Sequence, residues 1–173
     1  MTLSDMELSQ RLFNTIESPT HFVTVKPMTP FIEPIDMVGV LDTTNERMLK
    51  KAFGRNHYKW KRKRMRRPKW FLQPETDSSK SVGNSYVMLH YHGIVQIESV
   101  ELAQMYTDYF EVLFTQEVDN LRMRMRDLPG LQRPEVKFDT YDHCKDARGY
   151  TLKQNTVTYD HGDAYVYGRE VQT

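Results

Sequence analysis

The stretch Leu89-His90-Tyr91-His92-Gly93-Ile94-Val95-Gln96-Ile97 constrains this chain more than any other. It belongs to a β-prone run over residues 86–97 whose near-continuous apolar character fits a strand in the middle of a sheet. Two histidines stand one residue apart inside it. Side chains alternate between faces along a strand, so His90 and His92 emerge side by side on one face. Two neutral imidazoles held that way can share a divalent metal ion. The plainer alternative is a pair of satisfied histidines on a half-exposed strand.

The rest of the chain supplies strands and helices around that run. Residues 4–17 carry Leu8, Leu12, Phe13 and Ile16 at helical spacing, with Pro19 as a stop. Residues 21–26 read as a strand ended by Pro27, and the three prolines of 27–36 read as a loop. Asp42 or Thr43 is placed to cap a helix through Phe53, with Gly54 at its end. A second helical segment runs towards Arg67, before Pro68. Trp70, Phe71 and Leu72 begin a strand, followed by a polar loop over 75–84. Ser99 starts a helix whose inner face carries Leu102, Met105, Tyr106, Tyr109, Phe110 and Leu113, a spacing that fits core better than a base-stacking platform. Pro129-Gly130 marks a loop, and Glu135–Thr140 reads as a strand. Asp142 is placed to cap a helix bearing Tyr150, which Gly149 weakens by about 1 kcal/mol relative to alanine. Residues 156–159 and 164–167 alternate around His161-Gly162-Asp163 and read as a hairpin. The pattern predicts an α+β fold with a mainly antiparallel sheet.

A chain of 173 residues is most simply one domain, over residues 1–173, with a core of useful size. Its 39% hydrophobic content separates it from disordered chains. The apolar runs are too short to cross a bilayer, and the first residues lack the basic and apolar regions of a secretory signal. The single cysteine, Cys144, excludes an internal disulfide and fits a reducing compartment. Its neighbour His143 suggests a thiol nucleophile or zinc ligand, but a lone cysteine lacks partners for a structural zinc site.

The net charge of +1 hides an uneven distribution. Lys59, Lys61, Arg62, Lys63, Arg64, Arg66, Arg67 and Lys69 place eight cations in eleven positions, the densest part of a basic segment over 55–70. Trp60, Trp70 and Phe71 lie within or beside them. Cations neutralise phosphates and aromatic faces stack on unpaired bases, a mixture suited to single-stranded nucleic acid. The alternatives are a solvated helix end with the tryptophans turned into the core, or a localisation signal. Arg122, Arg124 and Arg126 form a smaller cluster and a secondary candidate for a nucleic-acid face.

Downstream, Tyr150 and Lys153 share a face if their segment is helical. A phenol beside a cation suits a tyrosine nucleophile attacking a phosphodiester, because the cation favours phenolate character and neutralises charge building on phosphate. Tyr141 and Tyr159 lie nearby, but neither has a lysine three residues on.

Taken in this order, the motifs resemble the HUH endonucleases, specifically the replication initiators of rolling-circle plasmids, phages and single-stranded DNA viruses. His90-Tyr91-His92-Gly93-Ile94-Val95-Gln96 resembles the metal motif in its viral form, in which a glutamine follows the second histidine by four residues. Tyr150-Thr151-Leu152-Lys153 resembles the catalytic motif, and His21-Phe22-Val23-Thr24-Val25-Lys26-Pro27 is similar to the N-terminal Phe-x-Thr-x strand. Tyr91 is bulkier and more polar than the family's usual middle residue. No Walker-type phosphate loop is present, so the helicase domain of many viral relatives is not expected here.

The resemblance implies a sheet of about five mostly antiparallel strands flanked by helices. It also implies a single-tyrosine nuclease that cuts single-stranded or replication-origin DNA and forms a 5′-phosphotyrosyl link, in the cytoplasm of a bacterial host or in the host cell of a virus, with host replication proteins as further partners. His90 and His92 would hold Mg²⁺ or Mn²⁺, and Lys153 would orient or neutralise the phosphate. An oxygen-bearing third ligand is expected, with Gln96, Glu98, Asp142 and Asp146 open as candidates. Two other functions stay open. One is a related single-tyrosine transposase or relaxase, although relaxases usually place the tyrosine before the histidines. The other is a non-catalytic nucleic-acid-binding module.

Overall fold

In this computed structural model the structure describes residues 16–29, 34–55, 68–76, 89–125, 132–143 and 165–167. These residues form β1 (His21–Lys26), α1 (Pro34–Phe53), β2 (Lys69–Thr76), β3 (Leu89–Gln96), α2 (Val100–Arg124), β4 (Glu135–Thr140) and β5 (Tyr165–Tyr167). The sheet order is β4-β1-β3-β2-β5, and every neighbouring pair is antiparallel. Four strands of six to eight residues make up the body of the sheet, and the three-residue β5 extends it beyond β2. The sequence expectation of about five strands thus reduces to four full strands and a short edge piece. β1-α1-β2 and β3-α2-β4 each cross over one intervening strand, the split βαβ arrangement.

β3 lies between β1 and β2, the central position its apolar run predicts. Both helices cover one face. Val23 and Val25 of β1, Trp70 and Leu72 of β2, Tyr91 and Val95 of β3, and Val136 of β4 pack there against Met37, Leu41, Met48, Tyr106, Phe110 and Phe114. Trp70 is the largest of these side chains, with its ring centroid 5.3 Å from Phe110 and 5.8 Å from both Tyr106 and Phe138. Full burial of a large aromatic contributes on the order of 2–3 kcal/mol, so Trp70 is a core residue and not a base-stacking surface. Phe71 points the other way and is equally buried, packed with Ile16 and Ile94 and flanked by Phe22 and Tyr141.

α1 begins at Pro34, well before the cap expected at Asp42 or Thr43. Proline is tolerated in the first helical turn, where its missing N–H would have no partner, so the proline-rich segment contains the helix start. Asp36 in the first turn and Lys50 and Lys51 in the last complement the helix dipole. Gly54 ends the helix at φ 76°, its N–H donating to the Lys50 carbonyl. In α2, Ser99 is the N-cap, and its hydroxyl accepts from the Leu102 N–H at 3.2 Å. The buried stripe is Leu102, Tyr106, Phe110, Phe114, Val118 and Leu121, whereas Tyr109 is 43% exposed beneath the Lys51 ammonium. The helices are tied together by Tyr106, whose hydroxyl donates to Asn45 Oδ1 at 3.1 Å, and by the Arg47–Glu117 ion pair.

β2 continues to Thr76, through the residues expected to open a loop. Pro74 sits in it, and among the described residues β5 pairs only with Trp70, Phe71 and Leu72, so no described strand needs an N–H from Pro74 on the outer side of β2. β5 falls within the second arm of the expected hairpin, but its described pairing is with β2; residues 156–159 lie outside the described residues. Gly93 is paired with Leu72, and a Cβ there would meet the Phe71 carbonyl oxygen at 1.9 Å and Leu72 Cα at 2.8 Å. Only glycine lets β2 approach β3 this closely.

Arg122 closes the end of the sheet. Its side chain, 12% exposed, donates to Thr29 Oγ1 at 2.7 Å and to the carbonyls of Pro27, Met28 and Gln132. The turn after β1, including Met28 at φ 54°, and the approach to β4 are thereby fastened to the last turn of α2. Arg122 is thus a structural fastener. We predict that Arg122→Ala lowers the unfolding free energy by about 2–4 kcal/mol, because several carbonyls lose a charged donor, and that Arg122→Lys recovers only part of it. Urea unfolding measures both, and a decrease under about 0.5 kcal/mol would assign the fastening to other interactions.

Candidate metal centre on the open sheet face

Strand parity places the two histidines. Tyr91 and Val95 are buried under the helices, so His90, His92, Ile94 and Gln96 project from the opposite face of β3. The rings of His90 and His92 lie 4.9 Å apart between centroids and stand at 89° to one another. Both are partly exposed. They open on a cleft of about 630 Å³ whose lining includes Thr24, Lys26, Met28, Lys137 and Asp139.

β1 approaches the pair from one side. Thr24 is the direct partner of His92 in the register, and its Oγ1 lies 3.1 Å from His92 Nδ1. Phe22, one step along the same face, stacks on the His92 ring at 5.9 Å and 22°. Lys26 continues this face and pairs with Glu135 at 3.3 Å, while Lys137, opposite Thr24 on β4, pairs with Asp139 at 3.1 Å. Both ion pairs are substantially exposed and contribute little to stability. They place charges of both signs along the cleft.

β2 approaches from the other side. Gln73 is paired with His92 and Glu75 with His90. Directly paired residues are nearest neighbours across an antiparallel sheet, with Cβ atoms about 4.5–5.5 Å apart. Glu75 is therefore the acidic residue directly paired with His90 in the sheet register. In the sequence, Pro74 and the polar residues after it look like a strand end, whereas the structure continues β2 through them to Thr76.

The other third-ligand candidates sit farther off. Gln96 shares the face but lies beyond Ile94, where its Oε1 accepts from the Ser18 N–H at 3.2 Å. Glu98 follows the end of β3 and Asp142 follows β4, both exposed and neither lining the cleft. Among the described residues no group of three or more His, Cys, Asp or Glu stands ready to hold a metal ion. Asp146, Tyr150, Lys153 and Cys144 lie outside the described residues, as do Lys59, Lys61, Arg62, Lys63, Arg64, Arg66 and Arg67. Lys69 alone of the basic run is described, at the start of β2 and paired with Gln96. Among the described residues no helix is long and apolar enough to cross a membrane.

Compared with models of protein families, with curated proteins and with solved structures, the chain matches none of them.

A third histidine is kept apart from this pair. His21 lies on the alternate parity of β1, its ring edge-on to Phe138 at 6.3 Å and its Nδ1 2.9 Å from Thr20 Oγ1. Burial lowers its pKa below the ordinary imidazole value. Above about pH 6.5 the imidazole is neutral in both folded and unfolded chains; below it, the unfolded chain takes up the proton first. We predict that stability falls as the pH drops from about 7 to 5, and that His21→Gln flattens this dependence. Thermal unfolding across that range checks it; an identical slope in the variant would place the acid sensitivity elsewhere.

Proposed function

We propose that this chain is a metal-dependent tyrosine nuclease that nicks and rejoins single-stranded DNA at a replication origin. The observation that carries the reading is the pair His90 and His92 on the open face of the central strand, flanked by Thr24 on β1 and by Glu75 in the β2 register. The two imidazoles supply nitrogen donors, and a carboxylate from Glu75, the residue paired with His90, would complete a mixed nitrogen and oxygen set suited to Mn²⁺ and acceptable to Mg²⁺. A divalent ion held there would polarise the scissile phosphate.

The chain's own residues supply the remaining chemistry. Tyr150 attacks phosphorus through its phenolic oxygen, losing the phenol proton. The bond from phosphorus to the 3′ oxygen breaks, and that oxygen leaves as a hydroxyl. The 5′ phosphate stays on the tyrosine, which preserves the phosphodiester energy for later rejoining. Lys153 neutralises charge on the phosphate, and the basic run over residues 59–69 holds the flanking strand.

A second reading has its own support. The open face of an antiparallel sheet carrying Phe22 stacked on His92, with Lys26 and Lys137 beside them, has the components of a platform that binds nucleic acid without cutting it.

Labelled single-stranded oligonucleotides incubated with Mn²⁺ or Mg²⁺ separate the two. The nuclease predicts a metal-dependent covalent protein–DNA adduct, absent in Tyr150→Phe and His92→Ala and reduced at least about tenfold in Glu75→Gln. Binding without an adduct, across a pool that contains the origin sequence, would favour the platform. Alanine at Lys61, Arg62, Lys63, Arg64, Arg66 and Arg67 should weaken DNA binding and flatten its salt dependence, by about 0.7 in slope for each phosphate that is no longer neutralised. An unchanged salt slope would remove the basic run from the interface.

A further inference from the structure

We infer that Thr24 is a positioning residue that fixes the tautomer of His92, keeping the proton on Nδ1 and leaving Nε2 as the electron-pair donor. Both the choice of tautomer and its functional meaning rest on the metal-nuclease reading above, whereas the contact between Thr24 and His92 does not.

Two residues of β1 converge on one imidazole. Thr24 Oγ1 lies 3.1 Å from Nδ1, the ring nitrogen nearer the backbone, while Phe22 covers the ring face at 5.9 Å and 22°. Edge and face are both fixed, so the ring's rotation about its side-chain bonds is restricted. Thr24 is itself well held: it sits mid-strand in β1, paired with His92 on one side and Lys137 on the other. Its β-branched side chain has few rotamers, so Oγ1 keeps its place. A threonine hydroxyl can donate or accept. If it donated to Nδ1, the ring proton would sit on Nε2 and block the distal nitrogen. If it accepts from Nδ1–H, Nε2 is the nitrogen that carries the lone pair. A metal-bound imidazole characteristically donates its other N–H to a fixed acceptor, and Thr24 is the residue placed to receive it. Phe22 and Thr24 occupy the Phe-x-Thr positions of the β1 motif, so a pattern distant in sequence from the histidines acts on one of them through the sheet.

Nitrogen NMR of the metal-free, full-length chain tests this directly. The His92 imidazole signals are assigned by their disappearance in His92→Gln. The wild type should show Nδ1 protonated and Nε2 unprotonated. Thr24→Ser should keep that pattern, whereas Thr24→Val, nearly isosteric and equally at home in a strand, should shift towards the Nε2–H form that histidine prefers in water. Mn²⁺ affinity, read by calorimetry, should fall about 10- to 100-fold in Thr24→Val and stay close to wild type in Thr24→Ser. An unprotonated Nδ1 in the wild type overturns the proposal, and this readout needs no variant of Thr24 to fold. So does a Thr24→Val protein with unchanged tautomer and unchanged Mn²⁺ affinity. A Thr24-dependent Nδ1–H tautomer in a wild type that binds no Mn²⁺ would uphold the positioning of His92 and overturn the nuclease reading instead.

Discussion

Burial of Tyr91 beneath the two helices sets the parity of β3, and the geometry of the candidate site follows from it. Tyr91 and Val95 occupy one face of the strand, packed in the same cluster as Trp70, Tyr106 and Phe110. A shift of one residue would carry both imidazoles into that apolar cluster and expose two large side chains to water. Burying Tyr91 and Val95 is worth on the order of 4–5 kcal/mol together, so the alternative register is strongly disfavoured. The histidines face outward because their neighbours must face inward. Gly93 adds a second constraint to the same strand. With no Cβ it admits the backbone of β2, and this close pairing brings Glu75 into register with His90.

The site is assembled from three strands that are remote in sequence and adjacent in the sheet. β1 contributes Phe22 and Thr24, β3 the histidines, and β2 the paired position of Glu75. The split βαβ order makes this possible, because each crossover skips one strand and leaves β1 and β3 side by side at the centre. Arg122 holds the end of this arrangement by joining the turn after β1 to the segment before β4. A charged group with so many carbonyl partners serves packing, even though in sequence it belongs to a run of alternating arginines. Composition alone does not distinguish a cation that fastens loops from one that meets phosphate.

Local signals were legible where the physics is local. β1 ends at Pro27, α2 starts at the Ser99 cap, Gly54 terminates α1, and the apolar run of β3 marks a central strand. The readings that failed involved proline or the direction of aromatic side chains. Pro34 opens a helix, and Pro74 lies where no described strand pairs with the outer side of β2, because the cost of proline depends on whether its missing N–H would have had a partner. Trp70 and Phe71, beside a dense basic run, looked suited to stacking on bases. Adjacent on one strand, they are both buried, in separate clusters on the two faces of the sheet.

The sequence by itself determined the chemistry within reach: two histidines on one strand face, a tyrosine and lysine three apart, and a concentrated basic segment. It also determined the α+β class, because hydrophobic periodicity reports which local structure can bury a face. Only the tertiary structure decided which residues meet that pair. Thr24, Phe22 and Glu75 are separated from His90 and His92 by 15 to 70 positions, and cross-strand register is a long-range property with no local signature. It emerges when the helices bury one face of the sheet and the histidines come to lie on the other, beside the smaller apolar cluster of Ile16, Phe71 and Ile94.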